Sequence, residues 1–114
     1  MQIKVAEEVQ AGAVEMEGAA GVTMRMLIGP ADGAPRFNMR MFDVAPGGHT
    51  PSHTHAWEHE VYVLSGQGRV HTPDGDVEIA AGRCLLVPPG ERHQFVNTGG
   101  GVLRFLCLVP RESG

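Results

Sequence analysis

Glycine and proline break this chain so often that a long amphipathic helix has nowhere to form. Sixteen glycines and eight prolines fall among 114 residues, and most sit between short apolar runs. Such runs at near-regular spacing, punctuated by turn residues, read as the strands of an antiparallel sandwich or small barrel, an all-β fold. The runs are residues 22–28, 36–44, 60–64, 69–72, 77–80, 83–87, 93–97 and 102–109. Gly29-Pro30 closes the first and Pro46-Gly47-Gly48 the second. Pro73-Asp74-Gly75-Asp76 predicts a hairpin, because Asp-Gly supplies the positive φ values such turns need. The Asn97-Thr98-Gly99-Gly100-Gly101 segment predicts a second one, joining the last two runs. Nearer the N-terminus the signal is thin: residues 2–5 and 13–17 read as edge strands and residues 6–10 as a short helix.

A chain of 114 residues makes one domain, since at this length folding buries roughly two thirds of the unfolded surface. Its formal net charge of −4 argues against nucleic acid and against an anionic membrane surface. No apolar run approaches the length of a membrane span, and the first thirty residues carry no signal-peptide core, so a cytoplasmic protein is expected. Cys84 and Cys107 lie inside apolar runs and read as buried, reduced thiols. Met24, Met26, Met39 and Met41 read as adaptable packing inside a barrel, and Arg25, Arg40 and Arg104 as residues of an outer, wetter face.

Four of the six histidines crowd the stretch from Gly47 to Gly66, three of them at 53, 55 and 59. In an extended strand alternate side chains share a face, so His53 and His55 can aim at one point from roughly 7 Å apart. His59 keeps the same odd-numbered phase, and the Ala56-Trp57 step allows the chain to bend toward the same point. A fourth candidate, His93, follows an apolar run and a Pro88-Pro89-Gly90 turn. Neutral imidazoles converging in this way make a site for a first-row transition metal. His49 reads as a solvent-facing loop residue and His71 as structural. Phe95 shares the strand phase of His93 and is expected to wall the pocket, Asn97 to hydrogen-bond turn backbone, and Trp57 either to shield the pocket mouth or to pack.

The two histidine-bearing stretches resemble the two motifs of the cupin family. Gly47, His53, His55 and Gly66 fall in register with the first, G-x5-H-x-H-x3-E-x6-G, at 47–66. Gly82, Pro88, Gly90, His93 and Asn97 match the second, G-x5-P-x-G-x2-H-x3-N, at 82–97. One departure matters: the family's usual glutamate falls where this chain has His59, flanked by Glu58 and Glu60. In this respect the chain resembles the four-histidine variant of small single-domain bacterial cupins.

The resemblance implies a double-stranded β-helix, or jelly roll, with residues 1–114 as a single cupin domain. It also implies one divalent transition-metal ion, Mn, Fe, Ni or Zn, held by His53, His55, His59 and His93. Should His59 point away, Glu58 or Glu60 would take its place. Four neutral ligands leave the ion its full charge, so an anionic small molecule is the expected partner: an oxyacid, an enediol or a diketone enolate. A metal-dependent enzyme of dioxygenase or oxalate type follows, with Glu58 as the candidate general base. The alternative is a metal-containing module that binds or senses a small molecule without turnover. Open sheet edges and outward Tyr62, Leu64, Leu106 and Leu108 add the expectation of a homodimer, which the resemblance also implies.

Overall fold

The computed structural model describes residues 1–113 and is built almost wholly of strands. In chain order these are β1 (Gly12–Ala13), β2 (Ala20–Ile28), β3 (Phe37–His49), β4 (His59–Ser65), β5 (Gln67–Thr72), β6 (Gly75–Ala80), β7 (Cys84–Val87), β8 (Gln94–Asn97) and β9 (Leu103–Pro110). Short 3₁₀ turns at Ala6–Glu8, Pro30–Asp32 and Arg111–Ser113 complete the described chain. Among the described residues no helix is long and apolar enough to cross a membrane.

All the pairings are antiparallel, and they run β6-β5-β8-β3-β9-β4-β7, with β2 lying along the other edge of β3 and β1 along β2. β3 is the spine. Its residues 37–44 pair with β9, and its last residue, His49, pairs with Val96 of β8. One strand thus belongs to both halves of a curled sheet, the arrangement of a jelly-roll barrel.

Period-two alternation decides what fills the barrel. In β4, His59, Val61 and Val63 point inward while Glu60, Tyr62 and Leu64 face out. In β9, Leu103, Phe105, Cys107 and Val109 are buried and the residues between them are not. With Val22, Val44, Val70, Ile79 and Phe95 they form one apolar core. Removing a side chain such as Phe105 from water contributes about 1.5–3 kcal/mol.

Several sequence expectations shift here. β3 does not stop at Pro46-Gly47-Gly48 but continues through it to His49. Gly47 takes φ +78°, and Gly48 lies so close to its neighbours that a Cβ would stand 2.9 Å from the Ala45 carbonyl oxygen. The glycines therefore bulge the strand, with a register shift between Ala20 and Val22 of its partner. The Asn97–Gly101 turn joins no hairpin: β8 pairs with β5 and β3, and β9 with β3 and β4. Asn97 does serve the turn backbone, donating to the Val44 and Gly101 carbonyls and accepting from Gly99 N–H. The β5–β6 hairpin forms, but Thr72 pairs with Gly75, so Pro73 and Asp74 make the turn and Gly75 alone takes a positive φ, +113°. Residues 2–5 form no strand, and of residues 13–17 only Ala13 does, in the two-residue β1. Both cysteines are free, but Cys84, on edge strand β7, is exposed rather than buried.

Candidate metal centre

Two turns bring the histidines together. His53 and His93 face each other across an isolated antiparallel bridge, each backbone N–H donating to the other's carbonyl at 3.2 and 3.1 Å. The Pro-Pro-Gly turn then reaches back, and Gly90 N–H donates to the His55 carbonyl at 2.6 Å. Gly90 holds φ +79°, a conformation glycine adopts without the penalty other residues incur. His59 arrives separately, as the first inward residue of β4.

The four imidazoles converge on one cavity of about 430 Å³. Nitrogen atoms of His53, His55 and His93 all come within 4.8 Å of one another. His59 falls outside that nitrogen group, yet its ring packs as closely as the others, its centroid 4.7 Å from that of His55 and 5.0 Å from that of His93. Backbone and sulfur partners orient two of the rings. His93 Nδ1–H donates to the Glu91 carbonyl at 2.9 Å, which leaves its Nε2 lone pair free. His59 Nδ1 lies 3.2 Å from the sulfur of Cys107. Its Nε2 is buried with no hydrogen-bond partner, an orphan of the kind a metal ion satisfies.

Burial is the main force on the charge of these rings. It pushes His53 down to about 4 and His59 down to about 3, with neighbouring imidazoles and Arg40 adding to the effect. His55 is lowered too, by burial and then by His93 and Arg40. These imidazoles are therefore neutral at pH 7, which is the ligating form. The donor set fits a divalent first-row metal ion.

Phe95 walls the cavity as expected, with Met24, Phe42 and Phe105. Trp57 does so as well, its ring stacked on His55 at 4.8 Å and 4° between planes. Met39 faces the opposite side of β3, in a groove under the N-terminal segment. Glu58 and Glu60 are both exposed and line a different groove with Arg36, Phe37 and Leu108. Neither carboxylate belongs to the histidine cavity. His49 is half-buried at the end of β3 rather than in a loop, and His71 pairs with Asp76 at the β5–β6 hairpin.

Arginine placement departs from expectation at one position. Arg25 and Arg104 do face outward, and both pair with Asp43. Arg40 instead points into the cavity. Its register opposite Cys107, an inward residue of β9, carries the signal, but a sequence does not print its own strand pairing.

Residues 40–109 match the family described as Cupin_2, a cupin domain. The chain belongs to the cupin family. Among solved structures, this cupin is similar to the polyketide cyclase RemF from Streptomyces resistomycificus, at 41% identity and TM-score 0.92 over 97% of this chain and 80% of that one. Among curated proteins, it resembles the oxalate-binding protein of Thermotoga maritima, 38% identical over 65 residues, which are 56% of this chain and 54% of that protein. A 1-methylthio-D-xylulose 5-phosphate methylsulfurylase from Rhodospirillum rubrum is 32% identical over 74 residues, 65% of this cupin and 47% of that enzyme. The cupin spans about half the length of these curated relatives.

Proposed function

We propose that this cupin holds one divalent metal ion on His53, His55, His59 and His93 and cyclises a poly-β-ketone chain by an intramolecular aldol reaction. The observation that carries the reading is the composition of the cavity. Imidazoles gather at one end, and Met24, Phe42, Trp57, Phe95 and Phe105 wall the rest. Likeness to a polyketide cyclase over nearly the whole chain supports the same substrate class.

When bound, a divalent ion supplies Lewis-acid polarisation to a pair of carbonyl oxygens. The apolar wall packs the hydrocarbon backbone of the chain and excludes bulk water. Among the described residues no carboxylate lines the cavity, so the carbon to be deprotonated has to be acidic in its own right. A methylene between two carbonyls meets that condition. Its proton passes to solvent water at the open cavity mouth, and the enolate carbon attacks a ketone carbon further along the same chain. The resulting alkoxide takes up a proton and water leaves as the ring aromatises, so no oxidant is consumed.

A second reading, a small-anion binder without turnover, is favoured by the lack of a carboxylate base in the cavity and by the relative named for oxalate binding. Two measurements separate them. Elemental analysis of protein purified without a metal-affinity resin gives the metal content. Incubation with a linear poly-β-ketone mimic, followed by mass spectrometry, then looks for a product lighter by one water. Metal with cyclised product supports the enzyme; metal that binds oxalate but yields no product supports the binder. Metal-free protein that cyclises the mimic refutes both.

A further inference from the structure

Arg40 is the one charged side chain of the cavity that neither reading uses. It stands on β3 opposite Cys107, and its Nη2–H donates to the Cys107 sulfur at 3.1 Å. That same sulfur lies 3.2 Å from His59 Nδ1, so the guanidinium sits one sulfur atom away from the imidazole cluster. Its plane is further held over the Phe42 ring, 5.0 Å from the centroid. The side chain is half-buried, and its Nε is buried without a hydrogen-bond partner.

A guanidinium in that position ordinarily has a carboxylate beside it, because an uncompensated charge away from water is costly. Arg25, Arg69 and Arg104 all have one. Among the described residues no ion pair engages Arg40, and the sulfur it holds is a weak acceptor. The missing negative charge has to arrive with the ligand.

We propose that Arg40 reads a free carboxylate on the substrate, so that the chain entering the cavity is a poly-β-keto acid rather than an ester or thioester. This rests on the reading of the cavity as a β-dicarbonyl site. An enolised β-dicarbonyl would bring one negative charge to a divalent ion held by the four neutral histidines, and would leave Arg40 uncompensated. A carboxylate further along the same molecule supplies the second charge. Its planar pair of oxygens matches the guanidinium fork, of which Nη2 is steadied by Cys107. A thioester carbonyl offers one neutral acceptor in its place.

The test is calorimetric, on metal-loaded protein whose metal content has been measured. Three probes are titrated: 3,5-dioxohexanoate, its methyl ester, and acetylacetone. Wild type should bind the acid about tenfold or more tightly than the ester, as a charge-assisted bidentate contact predicts. In Arg40→Met the acid should fall to the level of the ester, while acetylacetone affinity and metal content hold. Arg40→Lys keeps the charge without the fork and should fall in between. Equal binding of acid and ester by wild type overturns the proposal, and so does an Arg40→Met protein that still prefers the acid. Should Arg40→Met fail to fold, the wild-type ratio and Arg40→Lys decide the matter. Acetylacetone that does not bind metal-loaded wild type sinks the β-dicarbonyl reading instead, a separate failure, with the acid-to-ester ratio still judging Arg40.

Discussion

Substituting His59→Glu tests whether the cavity attracts anions through uncompensated charge. His59 is only 6% exposed and its ring lies 4.7 and 5.0 Å from two of the other three. A glutamate there restores the ligand usual in the family and places a negative charge beside any anion seated among the imidazoles. At roughly 6 Å and an effective dielectric constant of about 20, two unit charges repel by about 3 kcal/mol. Screening through the cavity mouth lowers this to about 1.5–2.5 kcal/mol. Oxalate should therefore bind between about ten and a hundred times more weakly. Calorimetric titration of oxalate into wild type and His59→Glu, with metal quantified in both, reads the difference. His93→Ala is the control: it removes a ligand without supplying another and should lose the metal. A fully metallated His59→Glu protein that binds oxalate as tightly as wild type would refute the charge argument.

Further outcomes concern stability and assembly. In metal-stripped protein, His53 and His59 hold their neutral form down to about 4 and about 3, whereas the unfolded chain takes up protons near pH 6.5. Their contribution is thus fully present above about pH 6.5 and drains away as pH falls toward the folded values, so the urea midpoint should drop across that window; an unchanged midpoint between pH 7 and pH 4.5 contradicts this. Gly66 has φ +91°, and a Cβ there would lie 2.8 Å from the Leu103 Cα, so Gly66→Ala should cost at least about 2 kcal/mol by urea titration. Thr50 Oγ1 accepts the Phe95 N–H at 2.9 Å in a buried setting; Thr50→Val should cost about 1–3 kcal/mol, and a neutral result would mean the N–H finds another acceptor. The outward Tyr62 and Leu86, 46% and 65% exposed, predict a homodimer by light scattering, which Leu86→Glu should disrupt; monomeric wild type at micromolar concentration would end that expectation.

Much of this was legible in the chain, and the reasons are local. His53, His55 and His93 announce themselves by spacing, because strand alternation and the Pro-Pro-Gly turn are short-range constraints. β4 and β9 read correctly from their period of two. What failed depends on pairing. Gly47 and Gly48 look like a strand terminator, yet a neighbouring strand converts them into a bulge. The Asn97–Gly101 segment has hairpin chemistry, but its flanking strands find better partners elsewhere. Glu58 was attractive for its proximity in sequence to the ligands. Glu58, just before β4 begins, is exposed on a different groove, away from inward-facing His59. Arg40 was hidden by the same logic, since Arg25, Arg40 and Arg104 look alike until the register assigns each a side.

Trp57 is the only tryptophan of the chain, and one face of its indole is covered by His55. The sole indole, which can be excited apart from the single tyrosine, is therefore stacked on a would-be ligand. Metal uptake perturbs that imidazole first, so tryptophan emission should follow loading in real time, without a label or a chromogenic chelator. A planar guest in the cavity that Trp57 lines would touch the same ring and leave its own spectral mark. Two events, ion first and guest second, would then be separable in a single cuvette by the order of addition.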